Sequence, residues 1–441
     1  MSEKIDIIEG IIKSKGVQEY EILLTKHGVY ETIFLKNKED NEREIKYYEY
    51  IIRILSQKGK ETGIGVVRGN TLEKKQLEKS IDNCLTLAKI NTGIKYYFPE
   101  KKKISEVSVA ESDVLKDPIG IKKDLGEELI NVASEQKEVE TTFGRFRIHI
   151  NESFLRNNNG IDYNSLKTFF FVEFALKAEM NDKLAEFWTY KYFKDKEHLN
   201  FEKNVKEWAK LARDTLVAKN PVANSNAIVI FPPSVLREAI IPVIGLHVSA
   251  KGKAEKVSKY SIGDKVASDN LSLIDNGLLR GGLGTNSWDG EGSPKQVTTV
   301  IEKGIFKNRL YDQRYAILDN VESTGNGNRF INGTIENGVS NFVIYPGDIS
   351  FEEIISEIKE GYYIEKFSWL NPETISGFFG AEIRNGYYIK DGKIDHPIKL
   401  GNVSGNVIEM IKNCKYISKE QEFSENSLFP YIAFTNLSVS S

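Results

Sequence analysis

The chain has 441 residues, of which 40% are hydrophobic, so it is long enough for two or three domains with substantial cores. A formal net charge of −3 gives no overall attraction to nucleic acid or to an anionic membrane. The first residues lack an apolar signal core, and no stretch approaches 18 consecutive apolar residues. Cys84 and Cys414 are predicted to be buried thiols, and together these features predict a cytoplasmic protein.

Residues 1–219 are predicted to form an N-terminal domain that mixes helices and strands. Its helices are predicted at residues 4–15, 72–89, 121–136 and 203–217, where apolar side chains recur at helical spacing. Its strands are predicted at residues 20–25, 29–35, 63–68, 138–150, 153–156 and 167–180, with a turn at His27-Gly28 between the first two. The pattern leaves the state of residues 42–57 open, and residues 91–118 fit no regular element.

Residues 220–441 are predicted to form a second, β-rich domain that begins at the polar stretch 220–226. Strands are predicted at residues 227–231, 266–275, 297–301, 305–311, 341–345, 362–367, 378–390 and 393–397. Helices are predicted to interrupt them at residues 351–359 and 404–413. The predicted fold class is therefore α+β: an N-terminal α/β-type domain followed by a β-rich C-terminal domain with a few helices.

The stretch 233–247 is predicted to be a helix, with Ser234 as its N-cap and Pro242 bending or ending it. A zinc-binding helix carries His, then Glu as general base, then a second His about one turn later. Here Arg237, Glu238 and Pro242 occupy those positions, and His247 lies too far along the helix to replace either histidine. A metal-free helix is therefore favoured, with a site assembled from distant histidines as the minor alternative.

The acidic, glycine-rich segment Trp288-Asp-Gly-Glu-Gly292 is a second candidate. Asp289 and Glu291 could bind Mg²⁺ or Ca²⁺, with Asp264, Asp269 and Asp275 nearby in sequence. The favoured alternative is that both carboxylates order a loop by accepting hydrogen bonds from backbone N–H groups.

Two further motifs carry weaker signals. The loop Arg280-Gly-Gly-Leu-Gly284 could cradle a phosphate, but it lacks the Gly-Lys-Ser/Thr that follows in a P-loop and is predicted to be a flexible connection. Ser404 has no neighbouring base to activate it as a nucleophile, so it is predicted to cap the helix that follows.

An ordered set of motifs in the C-terminal half resembles a known family. They are Leu271-Ser-Leu-Ile-Asp275, Trp288-Asp-Gly-Glu-Gly-Ser-Pro294, Ile301-Glu-Lys-Gly304, Ser323-Thr-Gly-Asn326, Tyr345-Pro-Gly347, Gly401-Asn-Val-Ser-Gly-Asn-Val-Ile-Glu-Met410 and Phe434-Thr-Asn-Leu-Ser-Val439. Over residues 220–441 the chain resembles the TldD/PmbA family of zinc metalloproteases, and in particular its PmbA (TldE) branch. The N-terminal half matches more loosely.

This resemblance implies an incomplete metal site. TldD-like members carry a His-Glu-His helix and a cysteine near the C-terminus as zinc ligands and base. Mapped onto this sequence, the first His falls on Arg237, the Glu on Glu238 and the second His on Pro242, and no cysteine follows Cys414. The resemblance implies that this chain holds no cofactor and pairs with a zinc-bearing, TldD-like subunit. Asp289, Glu291 and Asn326 are then candidate chamber or loop residues.

Three functional hypotheses follow. The first is a non-catalytic subunit that forms a heterodimer with a TldD-like partner to degrade unfolded peptides. The second is a metallopeptidase in its own right, using Glu238 with unrecognised ligands. The third is a homodimeric shell that binds an extended peptide at a sheet edge without turnover.

Overall fold

Two large β-sheets, built from separate parts of the chain, organise the computed structural model, which describes residues 2–441. The first is a six-stranded antiparallel sheet with the order β3-β2-β1-β4-β5-β6. Its strands are β1 (Tyr20–Leu35), β2 (Lys38–Lys58), β3 (Glu61–Gly69), β4 (Val139–Asn157), β5 (Asp162–Met180) and β6 (Lys183–Phe193). Its helices are α1 (Ser2–Ser14), α2 (Lys74–Ile90), α3 (Ser112–Lys116), α4 (Pro118–Ser134) and α5 (Phe201–Val217), with a 3₁₀ turn at Lys196–His198.

The two faces of this sheet differ because successive side chains of a strand point to opposite sides. One face carries Phe146, Phe170 and Phe174, which form a core with α4 and α5. The opposite face carries Arg53 at one end and the rings of β6, including Tyr190, at the other. Both faces meet the C-terminal half of the chain, because the core on the first face also contains side chains of that half and Arg53 on the second face pairs with Glu291.

The second sheet has eleven strands, and a separate two-stranded ribbon pairs β11 with β12. The strands are β7 (Asn224–Phe231), β8 (Leu273–Asn276), β9 (Val297–Glu302), β10 (Ile305–Phe306), β11 (Gly327–Arg329), β12 (Ile335–Asn337), β13 (Phe342–Ile344), β14 (Glu360–Phe367), β15 (Phe378–Lys390), β16 (Lys393–Ile398), β17 (Asn402–Asn406), β18 (Cys414–Ser424) and β19 (Ser427–Ser440). The helices are α6 (Pro233–Val248), α7 (Ala250–Ala254), α8 (Gln313–Asp319), α9 (Phe351–Ser356) and α10 (Val407–Met410), with a 3₁₀ turn at Ile411–Asn413. None of the helices in residues 2–441 has the length and apolar character needed to cross a membrane.

Helix α6 lies at the centre of the C-terminal core. Its buried side chains, among them Leu236, Ile240 and Val243, belong to the same cluster as Phe231 of β7 and Phe434 of β19. The helix therefore has a fixed position against the large sheet, and its remaining face is held toward the first half of the chain.

The predicted α+β class, with a β-rich C-terminal part, is confirmed. The predicted turn at His27-Gly28 is wrong, because β1 runs through it and pairs Gly28 with Lys46 on one side and Ile150 on the other. The break predicted between residues 150 and 153 is also absent, since β4 is continuous. Residues 42–57, which the sequence left open, lie in β2.

Three local predictions around the helices also need correction. The N-cap of α6 is Pro232 rather than Ser234, and Pro233 occupies the first turn, where its missing N–H costs nothing. Pro242 does not end α6, which continues to Val248. Ser404 lies in β17, and the cap of α10 is Asn406, whose side chain accepts hydrogen bonds from the N–H groups of Ile408 and Glu409.

Candidate functional site

The first turns of α6 hold two charged side chains at the boundary between the two halves of the molecule. Leu236, Ala239 and Ile240 are buried against the sheet, which turns Arg237 and Glu238 away from the core. Arg237 is half-buried and Glu238 is exposed. These are the positions that the sequence singled out as a zinc motif without its histidines.

Arg237 forms an ion pair with Glu425, which lies 188 residues further along the chain. Glu425 sits in the tight turn between β18 and β19 with a positive φ of 48°. One guanidinium nitrogen of Arg237 donates to Oε2 of Glu425. Burial raises the pKa of Glu425, and the neighbouring guanidinium partly opposes that shift. A fixed cation therefore occupies the place of the first zinc ligand.

Glu238 has no partner of its own. Within residues 2–441, no side chain or backbone donor lies at hydrogen-bond or ion-pair distance from its carboxylate. Although the side chain as a whole is exposed, partial desolvation by the surrounding protein raises the pKa of the Glu238 carboxylate, while Arg237 and Lys366 act in the opposite direction. An unpaired carboxylate with a raised pKa is a group that a ligand with hydrogen-bond donors or positive charge would stabilise.

The other groups expected near a zinc ion lie elsewhere. Pro242 has no N–H to complete the helical hydrogen bond to the carbonyl of Glu238. His247 is buried, with Nε2 against the carbonyl oxygen of Ile375 at 3.1 Å and Nδ1 accepting from the N–H of Lys259 at 3.1 Å. Cys414 begins β18, whereas Glu425 follows its far end.

Zinc does not fit this set of residues. Zinc prefers histidine nitrogen and cysteine sulfur, together with one carboxylate, in a tetrahedral arrangement. The charged groups near the start of α6 are one guanidinium, the ammonium of Lys366 and two carboxylates, and the guanidinium already neutralises one of the carboxylates. The local geometry is therefore that of a salt bridge beside a free glutamate.

The segment Trp288–Gly292 forms one of the contacts between the C-terminal half and the six-stranded sheet. Trp288 packs with Leu155 and Ile161, and its ring lies 6.2 Å from that of Tyr163. Gly290 passes so close to β11 that an added Cβ would lie 2.7 Å from the backbone nitrogen of Arg329. The glycine-rich sequence therefore allows a tight backbone contact at this junction.

Both carboxylates of this segment are buried and are engaged by protein donors. Oδ1 of Asp289 accepts from the N–H groups of Glu291 and Ser293, each at 2.9 Å, and Oδ2 accepts from that of Gly327 at 2.8 Å. Oε1 of Glu291 accepts from the hydroxyl of Tyr96 at 2.7 Å, and Oε2 accepts from the N–H of Gln313 at 2.9 Å. This is the arrangement expected of carboxylates that order a loop.

Asn326 belongs to the same buried region. Its Nδ2 donates to Oδ2 of Asp275 at 2.6 Å and to the carbonyl oxygen of Gly338 at 2.9 Å. Asp264 and Asp269, which the sequence placed near this cluster, do not join it: Asp264 accepts from the N–H of Ser261, and the exposed Asp269 pairs with Lys265. Of the acidic residues that the sequence grouped here, Asp275, Asp289 and Glu291 are buried, whereas Asp264 and Asp269 lie at the surface.

Burial raises the pKa of several carboxyl groups in this region, and repulsion between neighbouring carboxylates adds to the effect for two of them. Burial, together with the charge of Glu291, raises the pKa of both Asp289 and Asp312 to about 7. Burial also raises the pKa of Asp275 to about 6, although Asn326 and Lys295 oppose the shift. Near neutral pH, Asp289 and Asp312 are therefore only partly ionised.

The Arg280–Gly284 loop has the wrong polarity for a phosphate site. The ammonium group of Lys167 donates to the carbonyl oxygen of Leu283, and that of Lys295 donates to the carbonyl oxygen of Gly284 at 2.9 Å. A phosphate cradle needs backbone N–H groups that point inward, whereas this loop presents carbonyl oxygens to buried lysines. The interpretation as a connection between strands agrees with this geometry.

One group of metal-type side chains was not singled out by the sequence. Among residues 2–441, Asp195, Glu197 and His198 are three such side chains whose donor atoms lie within 4.8 Å of one another. Asp195 faces Nδ1 of His198 at 3.8 Å, and Glu197 faces Nε2 at 3.9 Å. Because the carboxylates face opposite ring nitrogens, each forms a separate pair with the imidazole.

Comparison with known proteins gives consistent results. Residues 224–441 match the family model of the PmbA/TldA metallopeptidase C-terminal domain. A metalloprotease TldD homologue from Buchnera aphidicola is 29% identical over 244 residues, covering 54% of this chain and 50% of that protein. A metalloprotease from Methanocaldococcus jannaschii is 25% identical over 435 residues, covering 95% of this chain and 93% of that protein.

The same fold occurs in a solved structure. The crystal structure of TldE from Thermococcus kodakarensis matches with a TM-score of 0.87 at 22% identity, covering 99% of this chain and 100% of that one. The alignment with the Buchnera protein spans half of that protein's length, whereas the alignment with the Methanocaldococcus protein and the structural match span nearly whole chains. The matched C-terminal domain, the homologous metalloproteases and the shared fold agree: this chain belongs to the TldD/PmbA metallopeptidase family.

Proposed function

We propose that this chain is the zinc-free subunit of a TldD/PmbA-type peptidase, similar to the PmbA (TldE) branch. In this proposal it pairs in the cytoplasm with a TldD-like subunit that supplies the zinc ion. The two chains together enclose the site at which unfolded peptides are hydrolysed. Asp289, Glu291 and Asn326 contribute by ordering the junction between the two halves of this subunit, and not by touching substrate.

The observation that carries the proposal is the ion pair between Arg237 and Glu425. A buried or half-buried zinc site cannot share its first ligand position with a guanidinium, because two cations at that distance repel each other strongly. The pair holds the start of α6 against the β18–β19 turn, so the salt bridge supports the local structure that a metal ion would otherwise cross-link. Glu238 then lacks the metal-bound water on which a general base would act.

Two alternatives are less well supported. A peptidase acting alone needs unrecognised ligands around Glu238, and its surroundings offer Arg237, Lys366 and Glu425 rather than histidines. A homodimeric shell could bind peptide along the edge strand β6. However, Lys366 and Arg384 already donate to the carbonyl oxygens of Trp188 and Glu186 on that strand.

Co-purification with a TldD-like subunit from the same genome tests the proposal. Light scattering is expected to show a one-to-one heterodimer, and a fluorogenic unfolded peptide is expected to be cleaved only by the mixture or the complex. A partner with its two zinc-binding histidines replaced by alanine is the control, and it should assemble without cleaving. Chelator-sensitive cleavage by this chain alone, or no association with the partner, would contradict the proposal.

A further inference from the structure

The outer side of β2 is an open sheet edge over much of its length. β3 pairs with β2 only from Tyr50 onward, so among residues 2–441 the one ladder partner of residues 41–49 is β1. The two terminal strands of this sheet are partly covered, β3 by the segment that carries Ile94 and β6 by side chains of β14 and β15. The open part of β2 presents unpaired backbone N–H and C=O groups to any strand that can lie beside it.

The open edge has a definite length. At one end, a bulge leaves Asp40 without a ladder partner. At the other end, pairing with β3 begins at Tyr50. The regular stretch between these limits is residues 41–49, which is centred on Ile45 and is about 30 Å long at the usual rise of a strand. Residues 38–47 are all exposed, so no other part of the described chain covers either face of this stretch.

The side chains of this edge complement themselves in one antiparallel register. Directly opposite residues of an antiparallel pair point to the same face, so two identical strands related by a two-fold axis pair about a single central residue. With Ile45 at the centre, Ile45 lies opposite its own copy, Glu44 lies opposite Lys46, and Arg43 lies opposite Tyr47. This register therefore gives one apolar contact, two ion pairs and two contacts between a guanidinium and an aromatic ring.

Charge disfavours the adjacent registers. Centring the pairing on Glu44 or on Lys46 would place two like charges directly opposite each other, and such pairs destabilise a sheet. The register centred on Ile45 also uses every residue between the bulge and β3. In the single chain Ile45 is 43% exposed and Tyr47 is 42% exposed, so this pairing covers apolar surface as well as backbone polar groups.

We propose that residues 41–49 of β2 pair antiparallel with the same residues of a second copy of this chain. The isolated protein is then a two-fold dimer in which two six-stranded sheets join and close each other's open edge. This inference goes beyond the proposed function, in which a TldD-like subunit of the same family would take the place of the second copy.

Sedimentation velocity of the full chain at low ionic strength, over a range of concentrations, measures the self-association. The parent is expected to be a dimer that dissociates on dilution. Lys46→Glu and Glu44→Lys should each weaken the dimer about tenfold, because each turns both ion pairs across the two-fold axis into repulsions. The double variant Glu44→Lys/Lys46→Glu restores opposite charges and should return the affinity close to that of the parent.

Lys38→Glu is the matched control for these variants. It makes the same change of charge on an exposed residue of the same strand, but beyond the bulge at Asp40, and it should leave the affinity unchanged. Circular dichroism establishes that each variant is folded. A parent chain that is monomeric throughout, or a dimer that Lys46→Glu and Glu44→Lys leave intact, would overturn the proposal.

Ile45→Cys tests the register by a measurement that does not depend on affinity. In the proposed register the two introduced thiols face each other across the two-fold axis, at a cross-strand separation that a disulfide can span. The chain's own Cys84 and Cys414 are buried and do not compete. Mild oxidation should give a covalent dimer on a non-reducing gel, whereas Lys38→Cys should give none. Equal cross-linking of the two variants would contradict the register.

Adding a TldD-like subunit separates this inference from the proposed function. A homodimer that exchanges into a complex containing both chains supports both proposals. A homodimer that does not exchange would refute the proposed function alone. A monomer that pairs with the TldD-like subunit would refute this inference alone.

Discussion

Replacing Arg53 with methionine is expected to lower the free energy of unfolding by about 3–5 kcal/mol, the typical cost of leaving a buried charge without its partner. Arg53 is almost completely buried at the junction between the two halves of the chain. Its guanidinium lies 3.4 Å from Glu21 and 3.9 Å from Glu291, and it stacks over the rings of Tyr96 and Phe98. Methionine fills much of the volume but leaves the buried Glu291 without a cationic partner and Glu21 with Arg329 alone.

Arg68→Met is the matched control for this prediction. Arg68 lies in β3 beside β2, which carries Arg53, and it pairs with Glu49 at the surface. Its loss should cost less than about 1 kcal/mol, because exposed ion pairs contribute little. Denaturant unfolding followed by circular dichroism measures both variants, and tryptophan fluorescence, to which Trp288 at the junction contributes as one of four tryptophans, gives a second signal. Equal losses for Arg53→Met and Arg68→Met would show that the buried network does not stabilise the junction.

The second large effect expected is a dependence of stability on pH that originates in the crowded carboxyl groups. The pKa of Asp289 and that of Asp312 are raised to about 7, whereas the ordinary value of an aspartate is near 4. Between these values the folded chain binds more protons than the unfolded chain. Its free energy of unfolding therefore decreases as the pH rises through this window. The buried Glu365, whose pKa is raised to about 7 mainly by burial, acts in the same direction.

His149 partly masks this trend in the parent protein. Burial, together with the charges of Arg147 and His27, lowers the pKa of His149 to about 4, so this group favours the folded state as the pH rises toward 6.5. The carboxyl contribution is therefore best measured as the difference between the parent and a variant. Asp312→Asn is the suitable change, because Asp312 caps α8 and asparagine caps a helix equally well.

Asp312→Asn is expected to flatten the dependence of unfolding free energy on pH between about 4 and 7. At pH 8 the variant should be more stable than the parent by about 1–2 kcal/mol, since one buried negative charge next to Glu291 is removed. Asp319→Asn, at the other end of the same helix, should have the opposite sign. Burial alone would raise the pKa of Asp319, but hydrogen bonds from Lys253 and Tyr311 hold it below its ordinary value. A parallel pH profile for Asp312→Asn and the parent would contradict the assignment.

The sequence predicted those elements that have a strong local signal. Helices α5 and α6 have long apolar stripes at helical spacing, and both are present with boundaries close to those predicted. The turn predicted at His27-Gly28 failed because glycine was taken as a break, whereas β2 and β4 pair with β1 on both sides and keep it extended. Tertiary pairing of this kind outweighs a single local turn signal. The domain boundary placed at residues 219–220 stays a prediction.

The candidate site could be predicted only in part, because its contacts join distant segments. The sequence identified Arg237 and Glu238 from their place in a motif, but nothing near Glu425 marks it as the partner of Arg237. The hydroxyl of Tyr96 meets Glu291 across 195 residues, and Arg329 meets Glu21 across 308 residues. The rings of β6 did carry a local signal, since Trp188, Tyr190 and Tyr192 occupy every second position between the buried Phe187 and Phe193, but the strand itself was not predicted.

Elemental analysis of the tag-free chain tests the central claim most directly. It is made on the protein purified alone and on its complex with a TldD-like subunit. The proposal predicts no bound zinc in the isolated chain and about one zinc ion per heterodimer, as a single three-ligand catalytic site requires. One tightly bound zinc ion per isolated chain would contradict it, because the proposed subunit carries no zinc ion of its own.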